Sequence, residues 1–205
     1  MRTTKRRTRP RRLAAIAVAG ALTATALATS PAQAAEVTVG DRVFDVTSAQ
    51  AGKSLYQAAW SEEQDAIWVT GTTHHFNLGY PIADESTIQK IDPETLQVEQ
   101  TITPRTLGAG TDVERPEAAY GVAVDDEHNL VWTSATREDA VVVYDATTGD
   151  RVKTIGGVGH SRDIAIDPYR DIAYVSDPNG GSITKISTDT LQVVETIALG
   201  GNFSP

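Results

Sequence analysis

Laid against itself with an offset of 42, the chain matches without gaps over four apolar segments in the same order. Gly121 to Asp125 lies over Asp163 to Asp167, and Leu130 to Ser134 over Ile172 to Ser176. Val141 to Tyr144 lies over Ile183 to Ile186, and Val152 to Ile155 over Val194 to Ile197. A more divergent copy precedes them: Ala58 to Trp60, Ala66 to Thr70, Thr87 to Asp92 and Val98 to Ile102. A period of this length constrains the fold strongly. Each unit is one small supersecondary motif that cannot bury its own apolar face, so it must stack on its neighbours.

The repeated segments are short, rich in Val, Ile, Thr and aromatics, and bounded by turn residues such as Asp-Pro, Asn-Gly-Gly and Thr-Thr-Gly. They predict antiparallel strands. No long helical period follows residue 34. Four strands per period is the content of one propeller blade. Apolar residues run together in Val141, Val142, Val143 and Tyr144, as expected of a sheet covered on both faces. The fold class is therefore all-β, a β-propeller of four-stranded antiparallel blades.

Tyr174-Val175-Ser176-Asp177 resembles the Tyr-Val-Thr-Asn signature of YVTN-type repeats, and Trp68-Val69-Thr70-Gly71 and Trp132-Thr133-Ser134-Ala135 fill the same slot. Ile91 to Thr95, Tyr144 to Thr148 and Ile186 to Thr190 are similar to the second half of that repeat. The resemblance, to YncE-like propellers, covers residues 55–201 and implies a seven-bladed ring. It implies little about activity.

Residues 1–34 have the order of a secretory signal peptide: seven basic residues within 1–12, an uncharged stretch from Leu13 to Ala28, then Ala32-Gln33-Ala34. Cleavage after Ala34 is expected, through the general secretory route or, on Arg11-Arg12, the twin-arginine route. The protein is expected in the cell envelope or secreted, with no membrane span after cleavage. Seven of the 18 basic residues leave with the leader, so 11 remain against 27 acidic ones and the net charge moves from −9 to near −16. A surface this acidic disfavours nucleic acid as a partner. With no cysteine, the chain has no disulfides, thiolate metal sites or lipoprotein anchor.

Residues 35–54 form a lead-in strand region, which is either ring-closing or a loose strand on the first blade. Blades are expected at 55–119, 120–159 and 160–201, with a further blade starting at 202–205. Three blades do not close a ring, so a partial chain is expected, closure by oligomerisation being the alternative.

Counting offsets locates the irregularities. With strands lettered A to D outward from the channel, the first copy matches the second at offset 64 in strand B but at 53 in strands C and D. About 11 residues are therefore inserted between B and C, within 71–86, and as many between D and the next A, within 103–119. In an up-and-down blade those two connections leave the sheet at the same end, so one face is decorated. Binding residues favour long loops on rigid scaffolds. The candidates are His74, His75, Tyr80 and Asp84 from the first insertion, and Arg105, Asp112, Glu114 and Arg115 from the second. Tyr120, His160 and Arg162, with Ser54 and Tyr56, are expected at the channel mouth on that face.

Each has a plainer reading. His74 and His75 suit a metal, yet neighbours on a strand point oppositely, so a polar surface loop is favoured and no metal or cofactor is assigned. His160 and Arg162 suit an anionic ligand or a solvated turn equally. Asp125 to Asn129 is read as a solvated turn, and Trp68, Trp132 and Tyr174 as packing between blades. No catalytic motif stands out. The leading expectation is an exported non-enzymatic scaffold that binds a protein, a cell-wall component or a small ligand at the decorated face. The alternatives are a propeller enzyme with its site at the channel and a structural surface-layer component.

Overall fold

The computed structural model describes residues 32–77 and 80–200, and of Asn77, Tyr80 and Pro81 the backbone alone. Most of the expected leader, the expected start of a further blade at 202–205 and the Tyr80 side chain lie outside the described residues. The chain is all β. The first blade is β3 (Leu55–Ser61), β4 (Ala66–Asn77), β5 (Tyr80–Ile91) and β6 (Val98–Ile102). The second is β9 (Val122–Asp125), β10 (Leu130–Ala135), β11 (Ala140–Asp145) and β12 (Arg151–Gly156). The third is β13 (Ile164–Asp167), β14 (Ile172–Asp177), β15 (Ser182–Ser187) and β16 (Val193–Ala198). Each is a four-stranded antiparallel sheet in sequence order. β9 lies between β3 and β13, so the three A strands are innermost and the blades fan around them.

The repeat is kept to single residues. A register shift between strands C and D falls at Lys90/Ile91, Val143/Tyr144 and Lys185/Ile186. Left-handed residues close the A–B turns at Asp65, Asn129 and Asp171, and the C–D turns at Leu96, Gly149 and Leu191. The C–D turns are nucleated by one side chain in a constant slot. Asp92 accepts hydrogen bonds from the backbone of Thr95 at 2.6 Å and Glu94 at 3.0 Å, and Asp145 from Thr147 and Thr148, both at 2.8 Å. These bonds, led by those from Thr95 and Thr148, hold both carboxyls below the usual aspartate range. Ser187 fills the slot in the third blade, accepting from Thr190 at 3.2 Å.

Two apolar layers weld the blades together. Trp68, Ile88 and Ile102 pack against Val122, Val131, Val142 and Tyr144 between the first and second blades. Trp132, Val141, Val143 and Ile155 pack against Ile164, Ala173, Val175 and Ile186 between the second and third. Alternate residues of the second blade thus serve opposite layers, and Val141 to Tyr144 is an unbroken apolar run because both sides are dry. The recurring aromatic slot behaves as packing: Trp68 and Trp132 are fully buried, and Tyr174 is half-buried on the third blade.

Two elements lie outside the blades. β1 (Gln33–Val39) and β2 (Arg42–Ser48) pair with each other through a turn at Gly40, as a two-stranded ribbon. The lead-in region is thus a hairpin, with Val37, Val39, Val43, Phe44 and Val46 exposed. A second small hairpin, β7 (Thr106–Leu107) and β8 (Arg115–Pro116), stands between the first and second blades against β5.

The turn Asp125 to Asn129 is more than a solvated turn: it clasps three blades. Asp126 accepts from the Ser61 hydroxyl at 2.5 Å and the Glu62 amide at 2.9 Å, and Asn129 accepts from Gln64 at 2.9 Å. On the other side, His128 contacts Asp125 at 2.9 Å through Nδ1 and Asp189 of the third blade at 3.0 Å through Nε2.

Candidate functional site

The first insertion is an extension of the B–C hairpin. β4 and β5 stay paired from Ile67↔Ile91 out to Asn77↔Tyr80, projecting a ribbon well beyond the blade. The second insertion is the β7–β8 hairpin. Gly108 and Gly110 adopt positive φ there, and Glu114 accepts from the Gly110 amide at 2.6 Å. The two insertions meet: Ala83 from the ribbon packs with Ala118 and Tyr120. Thr72 bridges to the Ala119 carbonyl at 2.9 Å, and Ser86 accepts from the Ala119 amide at 3.0 Å. Counting offsets therefore identified one decorated end.

The ribbon divides that end into two clefts, because successive strand residues point to opposite sides. His74 lines the first and His75 the second. The first cleft, of about 300 Å³, lies at the decorated end, beside the starts of the innermost strands. Ser54, Leu55 and Tyr56 reach it from the start of β3, Thr72 and His74 from the ribbon, and Tyr120 from the start of the second blade. Thr136 and Arg137 come from a 3-10 turn (Thr136–Glu138) between β10 and β11, and His160 and Arg162 from the connection into β13. Arg162 donates to the Tyr56 hydroxyl at 2.7 Å, and the Tyr56 and Tyr120 rings meet edge-to-face at 5.2 Å. Burial, and then the charges of Arg162 and Arg137, hold His160 below the ordinary histidine value.

The backbone around this cleft is pinned from beneath. Gly121 donates to the Ser134 hydroxyl at 2.7 Å, and Ser134 donates to the Arg162 carbonyl at 2.8 Å. Thr136 donates to the Ser161 carbonyl at 2.5 Å. Gln57 donates to Asp163 at 2.7 Å and accepts from the Val122 amide at 2.9 Å.

The second cleft, of about 260 Å³, lies between the ribbon and the β7–β8 hairpin. It is lined by His75, Ile82, Ala83, Asp84, Thr106, Glu114 and Arg115, with Pro116 closing it. His75 Nδ1 lies 2.5 Å from Asp84 Oδ1, both side chains about half exposed. A carboxylate-oriented imidazole can bind a cation or accept a proton. Groups of three or more metal-ligating side chains are absent among the described residues. Arg115 is engaged by Glu138, whose carboxyl burial raises while Arg115 draws it back.

Of the sequence candidates, His74, Tyr120, His160 and Arg162 share the first cleft, and His75, Asp84, Glu114 and Arg115 the second. Arg105 and Asp112 line neither. Arg105 pairs with the buried Glu117 at 3.2 Å, and Asp112 sits exposed at the tip of the β7–β8 hairpin. Sequence reasoning missed Arg137. It sits on the second blade's regular B–C connection, which leaves at the decorated end by the same rule as the insertions.

No family model matches the chain. Among curated proteins it is similar to two uncharacterized proteins designated YncE, from Salmonella typhi and Salmonella typhimurium. Each is 26% identical over 107 residues, covering 52% of this chain and 26% of the relative. The chain thus spans about a quarter of the length of the curated relatives it matches. Among solved structures the chain is similar to Kuenenia stuttgartiensis hydrazine synthase, at 17% identity and a TM-score of 0.53, covering 76% of this chain and 40% of that one. At that identity the likeness shows the fold alone, which is propeller-like.

Proposed function

We propose that this chain belongs to an exported, non-enzymatic β-propeller scaffold that binds a ligand or partner at the end carrying the two insertions. One observation carries the reading. The ribbon, the β7–β8 hairpin and the regular connections at one end converge on two adjoining clefts. The A–B and C–D turns at the other end are short, and their polar groups close the turns themselves or clasp neighbouring blades. A rigid scaffold with elaboration at one end only is the usual layout of a binding propeller. The basic and apolar leader at 1–34 supports work outside the cytoplasm.

The test replaces residues 72–85 with a two-residue turn in the full-length protein. Retention of envelope proteins, cell-wall fragments and small molecules is then compared with the parent. Loss of retention with a cooperative thermal transition kept is expected, its midpoint lowered by the loss of the Thr72–Ala119 bond and the Ala83 packing. Retention equal to the parent's would reject the site. Cell fractionation with N-terminal sequencing checks export: a mature chain beginning at Ala35 outside the inner membrane is expected.

A further inference from the structure

The cations of this chain are distributed unevenly with respect to their partners. Beyond residue 34 there are 11 Lys and Arg against 27 Asp and Glu. Seven of the 11 are ion-paired: Lys53 with Glu85, Lys90 with Glu99, Arg105 and Arg151 with Glu117, Arg115 with Glu138, Arg170 with Asp167, and Lys185 with Glu195. Among the described residues, Arg42, Lys153, Arg137 and Arg162 have no carboxylate within ion-pair distance. Arg42 lies on the β1–β2 ribbon and Lys153 on an outer strand. Arg137 and Arg162 come from different blades and line the same cleft. His74 and His160 complete that lining, and no Asp or Glu contributes to it.

Beyond residue 34 acids outnumber bases more than twofold, yet two guanidiniums share one concavity whose lining has no carboxylate, and there they repel each other. The geometry points to a small ligand bearing a carboxylate or phosphate at the first cleft, with Arg137 and Arg162 as its charge partners. This rests on the binding reading given above and names the class of ligand. Tyr56 holds the Arg162 guanidinium from the side, leaving other N–H groups of the fork for an oxyanion. The ring edges of Tyr56 and Tyr120 supply an apolar wall. A volume of about 300 Å³ suits a metabolite-sized molecule.

The test titrates the full-length protein with inorganic phosphate and, separately, with succinate, by calorimetry at low ionic strength. Saturable binding of at least one is expected, and the tighter of the two identifies the ligand's charged group. Arg162→Gln and Arg137→Gln should each weaken it about tenfold or more. Arg170→Gln removes the same charge from the opposite end of the third blade and should leave it unchanged. Arg137 is exposed, so its variant keeps the test sound if Arg162→Gln fails to fold. No saturable binding of either anion, or an equal loss in Arg170→Gln, would overturn the assignment. The outcomes separate from those of the ribbon replacement. Anion binding can fail while partner retention still depends on the ribbon, and the reverse pattern condemns the general reading alone.

Discussion

Gln57 on the first blade's innermost strand donates to Asp163 on the third blade at 2.7 Å, 106 positions away in the chain. Its carbonyl oxygen accepts the Val122 amide of the blade between them at 2.9 Å. One side chain thus fixes the spacing of three blades where they converge. In Gln57→Leu the Val122 amide, on a buried residue, loses its acceptor. A destabilisation of about 1–3 kcal/mol is expected in urea unfolding. A change within error would mean that water replaces the bridge freely.

Gly121 is required for a different reason from the glycines of the turns. A Cβ there would stand 2.2 Å from the Arg162 carbonyl oxygen and 2.8 Å from the Ser134 hydroxyl, both in the seam that positions the third blade. Neither is the tip of a flexible side chain. Gly121→Ala must push the connection into β13 outward. It should cost about 1–3 kcal/mol and also displace Arg162 from the first cleft, weakening any oxyanion bound there. Full stability with unchanged binding would show that the seam has slack.

The blades were legible in the sequence because stacking forces a strict period. Offsets of 42, 53 and 64 counted between strands recur between the left-handed turn residues, from Asp65 to Asn129 to Asp171 and from Leu96 to Gly149 to Leu191. Those same offsets located the insertions and the decorated end. Less legible was what the insertions became. His74 to Asp84 carries no clean polar–apolar alternation, and the successive residues His74, His75 and Phe76 are all exposed, so it looked like loop. The role of Asp125 to Asn129 was hidden as well. A polar turn has the same composition whether its groups face water or the Ser61 and Asp189 side chains of neighbouring blades.

The His128 clasp should make stability pH-dependent. Burial opposes the charged imidazole, but the Asp125 carboxylate and then Asp189 outweigh it, so the His128 pKa lies above the ordinary 6.5. A raised histidine favours the folded state when protonated. Its stabilisation is complete below the ordinary value and is lost as pH rises through the folded value. His160 is shifted the other way, and its contribution is lost as pH falls below 6.5. The two are separated by difference. The parent minus His128→Gln should decline in stability between about pH 6 and 8, measured as urea midpoints. A flat difference would show that the clasp carries no net charge.

Glu117 gives the second insertion its anchor. Its carboxylate is 1% exposed, facing Arg105 at 3.2 Å and engaged by Arg151, whose guanidinium stacks 5.5 Å from the Tyr144 ring centre. Burial, with Glu117 beside it, pushes the Tyr144 hydroxyl up to about 12, against the opposing arginine charges. The hairpin β7–β8 closes one wall of the second cleft, and Arg105 and Glu117 flank it in the chain. The Arg105 carbonyl also accepts from the Glu117 amide at 2.9 Å. Removing the carboxylate leaves two arginines converging on a dry site. Glu117→Ala should therefore cost about 3 kcal/mol or more. Arg105→Gln should cost far less, because half of that side chain is in solvent. The hairpin should also loosen, so amide exchange between residues 106 and 116 should accelerate in Glu117→Ala before the blades open. Exchange rising uniformly across all three blades would instead place Glu117 in the global core, with no special hold on the hairpin.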